Sequence, residues 1–356
     1  MKPLVSILIP AYNAEKWIAS ALQSAVDQTW PRKEIIVVND GSKDKTAQVA
    51  GRFASKRVAV VSTENGGLSA AVNHAYRRSQ GDYIQELDAD DILAPDKIER
   101  QLEALHERDS RRMLLSSQWA PFYFRTRNAR FIRNSLCQDL SPVDWLLTKM
   151  GEHVHMQNAT WLVSRELAEA AGPWNESLAY DQDGEYFCRV LLASEGTRFV
   201  PDTGVFYRIS GRKSVSVITK SDNKKRESLL LSMKLHVRYL RSLEESERVR
   251  KACLAYLQIM CIDFWPGRPD IMAELQNLAA QLGGRLEPPL LRWKYAWMAP
   301  LFGRNAATWA QTTLPQFRAF CLRQWDKAMF NLEAVDRSFD RLITWRSSPG
   351  GVRKGD

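Results

Sequence analysis

The stretch Gln85-Glu86-Leu87-Asp88-Ala89-Asp90-Asp91 closes an apolar run and puts three aspartates within four residues. Negative charge concentrated at a strand end is costly without a counter-ion. Hard divalent cations take oxygen ligands, and Mg²⁺ in particular is often held by one or two carboxylates plus substrate phosphates. The chemistry this pattern suits is a metal-bridged phosphate site, with Mn²⁺ or Mg²⁺ as the ion. An isolated Asp-x-Asp carries little weight, because a solvated acidic turn with Asp91 capping a helix near Pro95 would read the same way.

The elements that must position these carboxylates lie upstream. Residues 4–9 read as a buried strand ending at Pro10, and 14–28 place Trp17, Ile18, Ala21, Leu22 and Ala25 at helical spacing. A second strand over 34–38, a helix over 44–53, a third strand over 58–61, a helix from Leu68 and a fourth strand over 83–87 follow. Strands alternating with helices at this spacing predict βαβ units and a mostly parallel sheet flanked by helices, with residues 1–110 as one α/β domain. Ligands of such sheets sit outside the carboxyl ends of the strands, near the point where strand order reverses. Every polar turn here follows a strand: Pro10-Ala11-Tyr12-Asn13, Asn39-Asp40-Gly41-Ser42, Glu64-Asn65-Gly66-Gly67 and Asp88-Ala89-Asp90. Four such turns would share one rim. The first turn lacks Gly-x-Gly-x-x-Gly and no Gly-x-x-x-x-Gly-Lys-Ser/Thr occurs, so a nucleotide would be read by carboxylates, amides and a metal.

These four segments, in order, resemble the signatures of family 2 glycosyltransferases: Val5 to Asn13, Glu34 to Thr46 around Asn39-Asp40-Gly41-Ser42, Asn65-x-Gly67-Leu68-Ser69 and Leu87-Asp88-Ala89-Asp90-Asp91. The resemblance implies the nucleotide-diphospho-sugar transferase fold of A-type glycosyltransferases. By it, Pro10, Tyr12 and Asp40 hold the nucleobase, Asn65 and Gly67 lie along the nucleotide, Asp88 with its neighbour Ala89 touches the ribose or metal, and Asp90 binds the metal. Val72 stands before Asn73 where the family often has Arg, so cationic contacts to the diphosphate must come from elsewhere. Taken singly, Tyr12 could be a turn aromatic, Asp40 an Asx-turn residue and Asn65 a helix cap.

Residues 111–220 are less regular and are expected to form the acceptor side of the catalytic domain. The stretch from Tyr180 to Leu191 opens a helix, where carboxylates also cap and offset the dipole. Gln182-Asp183 resembles the family's second acidic motif, which makes Asp183 the expected base with Asp181 in reserve. Tyr207-Arg208 and Gly211-Arg212-Lys213-Ser214 resemble the family's closing segment, within which Arg212 and Lys213 are expected near the diphosphate or in a plain basic loop. His153 and His155 alternate as if on one strand face, but no third metal ligand accompanies them. Residues 221–345 read as a C-terminal helical region, in which 290–298 mixes aromatics and cations as interfacial helices do, with a helix-bundle core the expected fate of those aromatics. Residues 346–356 read as a disordered tail.

Composition bounds the remaining choices. Of 356 residues, 45% are apolar and 26% charged, ordinary values for a globular chain with its own core. Five scattered cysteines without a Cys-x-x-Cys pair indicate neither disulfides nor zinc, and fit a reducing cytoplasm. Lys plus Arg exceed Asp plus Glu by 22 to 14 in residues 221–356 but trail by 14 to 16 in residues 1–110, so the net charge of +9 is mostly C-terminal. That asymmetry suggests peripheral contact with an anionic surface such as the inner face of a membrane. No nucleic-acid reader motif is present. The expected activity is metal-dependent, inverting sugar transfer from a nucleoside-diphosphate-sugar donor to a saccharide or lipid-linked acceptor hydroxyl. A non-catalytic nucleotide-sugar- or carbohydrate-binding relative is the alternative.

Overall fold

Near-continuous apolar runs belong to strands buried on both faces, and the computed structural model places the N-terminal runs in such a sheet. It describes residues 2–105, 111–210, 222–288 and 291–346, with side chains described as far as residue 333. Strands β1 (Val5–Ala11), β2 (Lys33–Asp40), β3 (Val58–Thr63) and β4 (Tyr83–Glu86) alternate with helices α1 (Ile18–Val26), α2 (Thr46–Gly51) and α3 (Leu68–Arg78). Pairing is parallel throughout these four, in the order β3-β2-β1-β4. Strand order therefore reverses between β1 and β4. Ile7, Leu8, Ile9 and Val37 are fully buried between the helical layers, each worth about 1.5–3 kcal/mol of transfer free energy.

Downstream come β5 (Ile92–Leu93), α4 (Lys97–Glu103), β6 (Met113–Phe122), α5 (Pro142–Glu152), β7 (Val163–Ser164), α6 (Arg165–Ala171), α7 (Gln182–Ala193) and β8 (Gly196–Arg208). Strand β7 joins the first sheet antiparallel beside β4, whereas β5, β8 and β6 form a second sheet of three strands. The register of β6 on β8 jumps after Ser117, because Gln118 pairs with Gly204 rather than with the next residue after Val200. Only glycine fits there: a Cβ on Gly204 would lie 1.8 Å from the Gln118 carbonyl oxygen.

The C-terminal part is helical: α8 (Asn223–Leu243), α9 (Glu247–Met260), α10 (Pro269–Gln281), α11 (Trp293–Ala296), α12 (Met298–Phe302) and α13 (Arg304–Arg346). Helix α8 buries Leu229, Met233, Val237 and Leu240 and packs on α7 and α5.

Three expectations need correction. The histidines do not alternate on a strand: Ser141 Oγ caps α5 by accepting from Asp144 N (3.1 Å), and His153 ends that helix in the left-handed region (φ 54°). His155 instead lies against the Trp119 ring, 5.3 Å between centroids. Second, Asp91 caps no helix, since α4 starts after Asp96 and the Asp91 side chain is fully buried elsewhere. Third, of the aromatics near 293–298 only Tyr295 is buried, while Trp293 and Trp297 face outward. Arg346 ends α13, and the tail expected beyond it lies outside the described residues.

Candidate functional site

The carboxyl ends of β1 to β4 bring the four polar turns onto one rim. The first two turns are tied together: Asn13 N donates to Ser42 Oγ (2.9 Å), Lys43 N to Asn13 Oδ1 (2.9 Å) and Ala14 N to Thr46 Oγ1 (2.7 Å). Beside them Tyr12 is 51% exposed, a ring presented to solvent at the sheet's switch point, and Pro10 precedes it. The third turn is fastened by Asp40, whose carboxylate accepts from Gly66 N (2.7 Å), Gly67 N (2.9 Å) and Asn65 Nδ2 (3.2 Å). Asn65 Nδ2 also donates to the Asp40 carbonyl at 2.9 Å. Gly67 sits at φ 88°, where a side chain would be strained, and it leads into α3.

The fourth turn holds the acidic cluster. Asp88 and Asp90 are partly open and Ala89 between them is buried. Burial, then the charges of Asp90 and Asp183, push the Asp88 carboxyl up to about 7, although Asn158 donates to it. Burial likewise raises Asp90, against the pull of Ser210 and Arg208. Asp91 is buried as a structural acceptor, Oδ1 taking Arg208 N (2.7 Å) and Oδ2 taking Gln157 Nε2 (2.9 Å), and burial holds its pKa well above the carboxylate range. Glu86 accepts from Trp174 Nε1 (3.0 Å) on one oxygen, and burial first, then Asp88, raises it strongly.

The second acidic stretch meets the first. Helix α7 starts at Gln182 after Asp181, a residue in the left-handed region at φ 58°. Asp183 is near enough to Asp88 and Glu86 to raise the pKa of both. Its own carboxyl is raised by burial, then by Asp181, and lowered by Lys149. Asp181 turns instead toward α8, accepting from Ser232 Oγ (2.5 Å) with His236 Nε2 at 3.8 Å. His236 is buried against the Tyr256 hydroxyl (3.0 Å), and burial lowers it to about 3, so it is neutral. Gly184 makes this possible, because its missing side chain leaves room for the Asp181 carboxylate.

Two cations matter that sequence reading did not assign. Lys149, one turn before the end of α5, faces Asp181 and Asp183; burial pulls its pKa down, but Cys188 and the two aspartates leave it above the usual lysine value. Arg208 lies buried over the rings of Trp17 (4.0 Å) and Phe122 (4.3 Å), donating to the Asp90 carbonyl (2.8 Å) and the Tyr123 carbonyl (3.1 Å). Burial lowers its pKa to about 10, so it stays charged. Lys149 sits in an ordinary amphipathic helix and carries no sequence signal; an arginine closing an apolar strand is the signal for Arg208. Arg212 and Lys213 lie outside the described residues.

Among the described residues no three or more His, Cys, Asp or Glu side chains are grouped to hold an ion alone. The oxygen-only donors Asp88 and Asp90, with their raised pKa values, fit a divalent cation whose remaining ligands come from a substrate diphosphate.

A parallel sheet with a switch-point rim, an acidic turn after its fourth strand and a flanking mixed sheet defines the A-type glycosyltransferase fold. Residues 6–138 match the family model described as Glycosyl transferase family 2. An uncharacterized glycosyltransferase of Rickettsia typhi is 33% identical over 199 residues, covering 54% of this chain and 60% of the relative. The chain thus spans less than two thirds of that relative's length. A crystal structure of Staphylococcus aureus TarS residues 1–349 with UDP superimposes with a TM-score of 0.58 at 16% identity, over 87% of this chain and 91% of that one. The mannosyltransferase PcManGT of Pyrobaculum calidifontis, solved with GDP-Man and Mn²⁺, gives 0.56 at 19% identity, over 92% and 88%. At such identities the likeness is one of fold.

Proposed function

We propose that the chain is an inverting, metal-dependent glycosyltransferase that moves a sugar from a nucleoside-diphosphate donor to an acceptor hydroxyl. The observation that carries it is Trp174, which donates to Glu86 (3.0 Å) ahead of the first acidic stretch and stacks on Tyr186 of α7 (4.7 Å) just after the second, packing the two stretches together so that the charge of Asp183 bears on Asp88. Charge for a diphosphate's counter-ion and a carboxylate for a proton then flank one space. In this reading residues 1–110 hold the donor, with Tyr12 and Pro10 against the base and Asn65, Gly67 and Ala89 along the nucleotide. Asp40 acts through the Gly66 and Gly67 amides it fixes. Residues 111–220 frame the acceptor.

Asp90, with Asp88, would hold Mn²⁺ or Mg²⁺, which when bound supplies Lewis-acid stabilisation of the leaving diphosphate. Asp183 takes the acceptor's hydroxyl proton as that oxygen bonds to the anomeric carbon from the face opposite the departing diphosphate. Lys149 keeps Asp183 ionisable despite its burial and its neighbour Asp181. Uridine and guanosine diphosphates, bound in TarS and PcManGT, are the first donor bases to try, and a saccharide or lipid-linked hydroxyl is the acceptor class.

A thermal-shift screen of UDP, GDP and dTDP with and without Mn²⁺ should single out one base, whose shift Asp90→Asn and chelator both reduce. With that donor, Asp183→Asn should lower transfer by about 10²–10⁴ with donor affinity little changed. Near-normal turnover in Asp183→Asn, or full activity in excess chelator, would refute the mechanism.

A further inference from the structure

Apolar side chains left on the surface are concentrated at one end of the chain. Among the described residues, Trp293 (87% exposed), Trp297, Phe302 and Trp309 line the short helices and the start of α13. Along α13 beyond Pro315 the two sides differ. Its inward side carries Arg323 over the Phe124 ring (5.6 Å), Phe330 beside the same ring (5.9 Å), and Asp326, which accepts from Phe124 N (2.9 Å) and Arg125 Nε (2.6 Å). At about 100° per residue, the exposed Phe320, Phe317, Leu332, Trp325 and Leu322 fan over roughly 200° of the other side.

Charge on this segment is as one-sided as its hydropathy. Residues 291–333 contain Arg292, Lys294, Arg304, Arg318, Arg323 and Lys327 but only two acids, Asp326 and Glu333. Both acids turn inward onto Arg125, and Glu333 also onto Arg127. As far as residue 333, where the described side chains end, the outward surface therefore presents tryptophan, phenylalanine and cations with no carboxylate. Tryptophan suits a boundary between apolar and wet surroundings, and Lys and Arg suit anionic headgroups. A second copy of this chain fits less well, since two-fold pairing would set cation against cation, and the apolar arc is wider than a coiled-coil seam. No described helix is long and apolar enough to cross a membrane.

We propose that α11–α13 docks the chain in the headgroup plane of an anionic lipid bilayer. The position is close to the donor rim: Phe124, which meets α13, also meets Trp17 (5.6 Å), and Trp17 is the ring under Arg208 beside Asp90. Docking there would bring a membrane-borne acceptor toward the acidic cluster, but the docking itself is independent of the sugar-transfer reading.

The test is co-sedimentation of the full chain with phosphatidylcholine vesicles and with vesicles containing about 30% phosphatidylglycerol, at low and high salt. Binding should require the anionic lipid, weaken with salt and shift tryptophan emission to the blue. The pair Phe317→Ser and Trp325→Ser should lower binding by about tenfold or more, because both side chains would enter the interface. Both are more than 60% exposed, so melting should be unchanged. Arg318→Glu with Lys327→Glu should abolish the lipid preference. Absence of binding to anionic vesicles, equal binding by the Phe317/Trp325 variant, or a stable dimer in light scattering that this variant dissociates would overturn the proposal.

Discussion

Gly184→Ala separates the stability of α7 from the placement of its acids. Gly184 lies in the first turn of the helix, where alanine is preferred by about 0.5–1 kcal/mol over glycine. Its φ is not in the left-handed region, so the backbone accepts a side chain. The added Cβ would nevertheless fall 2.1 Å from Asp181 Oδ1 and 2.7 Å from its Cγ. To reach ordinary contact, at 3.4 Å or more, Oδ1 must retreat by about 1.3 Å and Cγ by about 0.7 Å, which turns the carboxylate out of the geometry in which Oδ2 accepts from Ser232 at 2.5 Å. Among charges, Asp181 has the largest effect on Asp183, and a misplacement of about 1 Å passed on to the reacting groups can cost on the order of 10²-fold in rate. We therefore expect a variant with an unchanged or slightly raised Tm whose kcat is about 10²-fold lower, matched by Asp181→Asn. Measured melting curves and single-turnover transfer rates decide it. Wild-type turnover in Gly184→Ala with a normal melt would show that Asp181 has no part in positioning the base; a large drop in Tm would show that the collision is relieved by unwinding α7.

Two further outcomes follow from the charge balance. The Asp88 carboxyl, near 7 folded against an ordinary 3.8, binds a proton in the native state between about pH 4 and 7 that the unfolded chain releases, so it destabilises the fold increasingly as pH rises through that window. With no divalent ion present, Asp88→Asn should thus raise stability by about 1–3 kcal/mol at pH 8, allowing for partial exposure, and change nothing near pH 4, by urea melts at both values. Lys149→Met removes the cation that lowers both Asp181 and Asp183, so kcat/KM should fall by about an order of magnitude at neutral pH, with the acid limb of the profile moved upward. An unmoved acid limb would place the base elsewhere.

The N-terminal sheet was legible because its information is local. Unbroken apolar runs such as Val5 to Ile9, each followed by a polar turn, identify buried parallel strands, and parallel pairing then obliges Tyr12, Asp40, Asn65 and Asp88 to share one rim. The acidic stretch around Asp183 could be recognised as a motif, but only packing decided which aspartate faces which partner. Asp181 and Asp183 are two residues apart, yet the left-handed turn at Asp181 and the absent Cβ of Gly184 send one toward Ser232 and leave the other where its charge bears on Asp88. Lys149 and His236 reach the same place from helices with no chemical pattern of their own. The C-terminal aromatics show the limit most clearly. The sequence by itself determined that the C-terminal region is basic and that 290–298 mixes aromatics with cations, since composition is a property of the chain. Which side of α13 is covered was decided by the tertiary structure, because burial depends on the Asp326–Arg125 anchor formed across some two hundred residues.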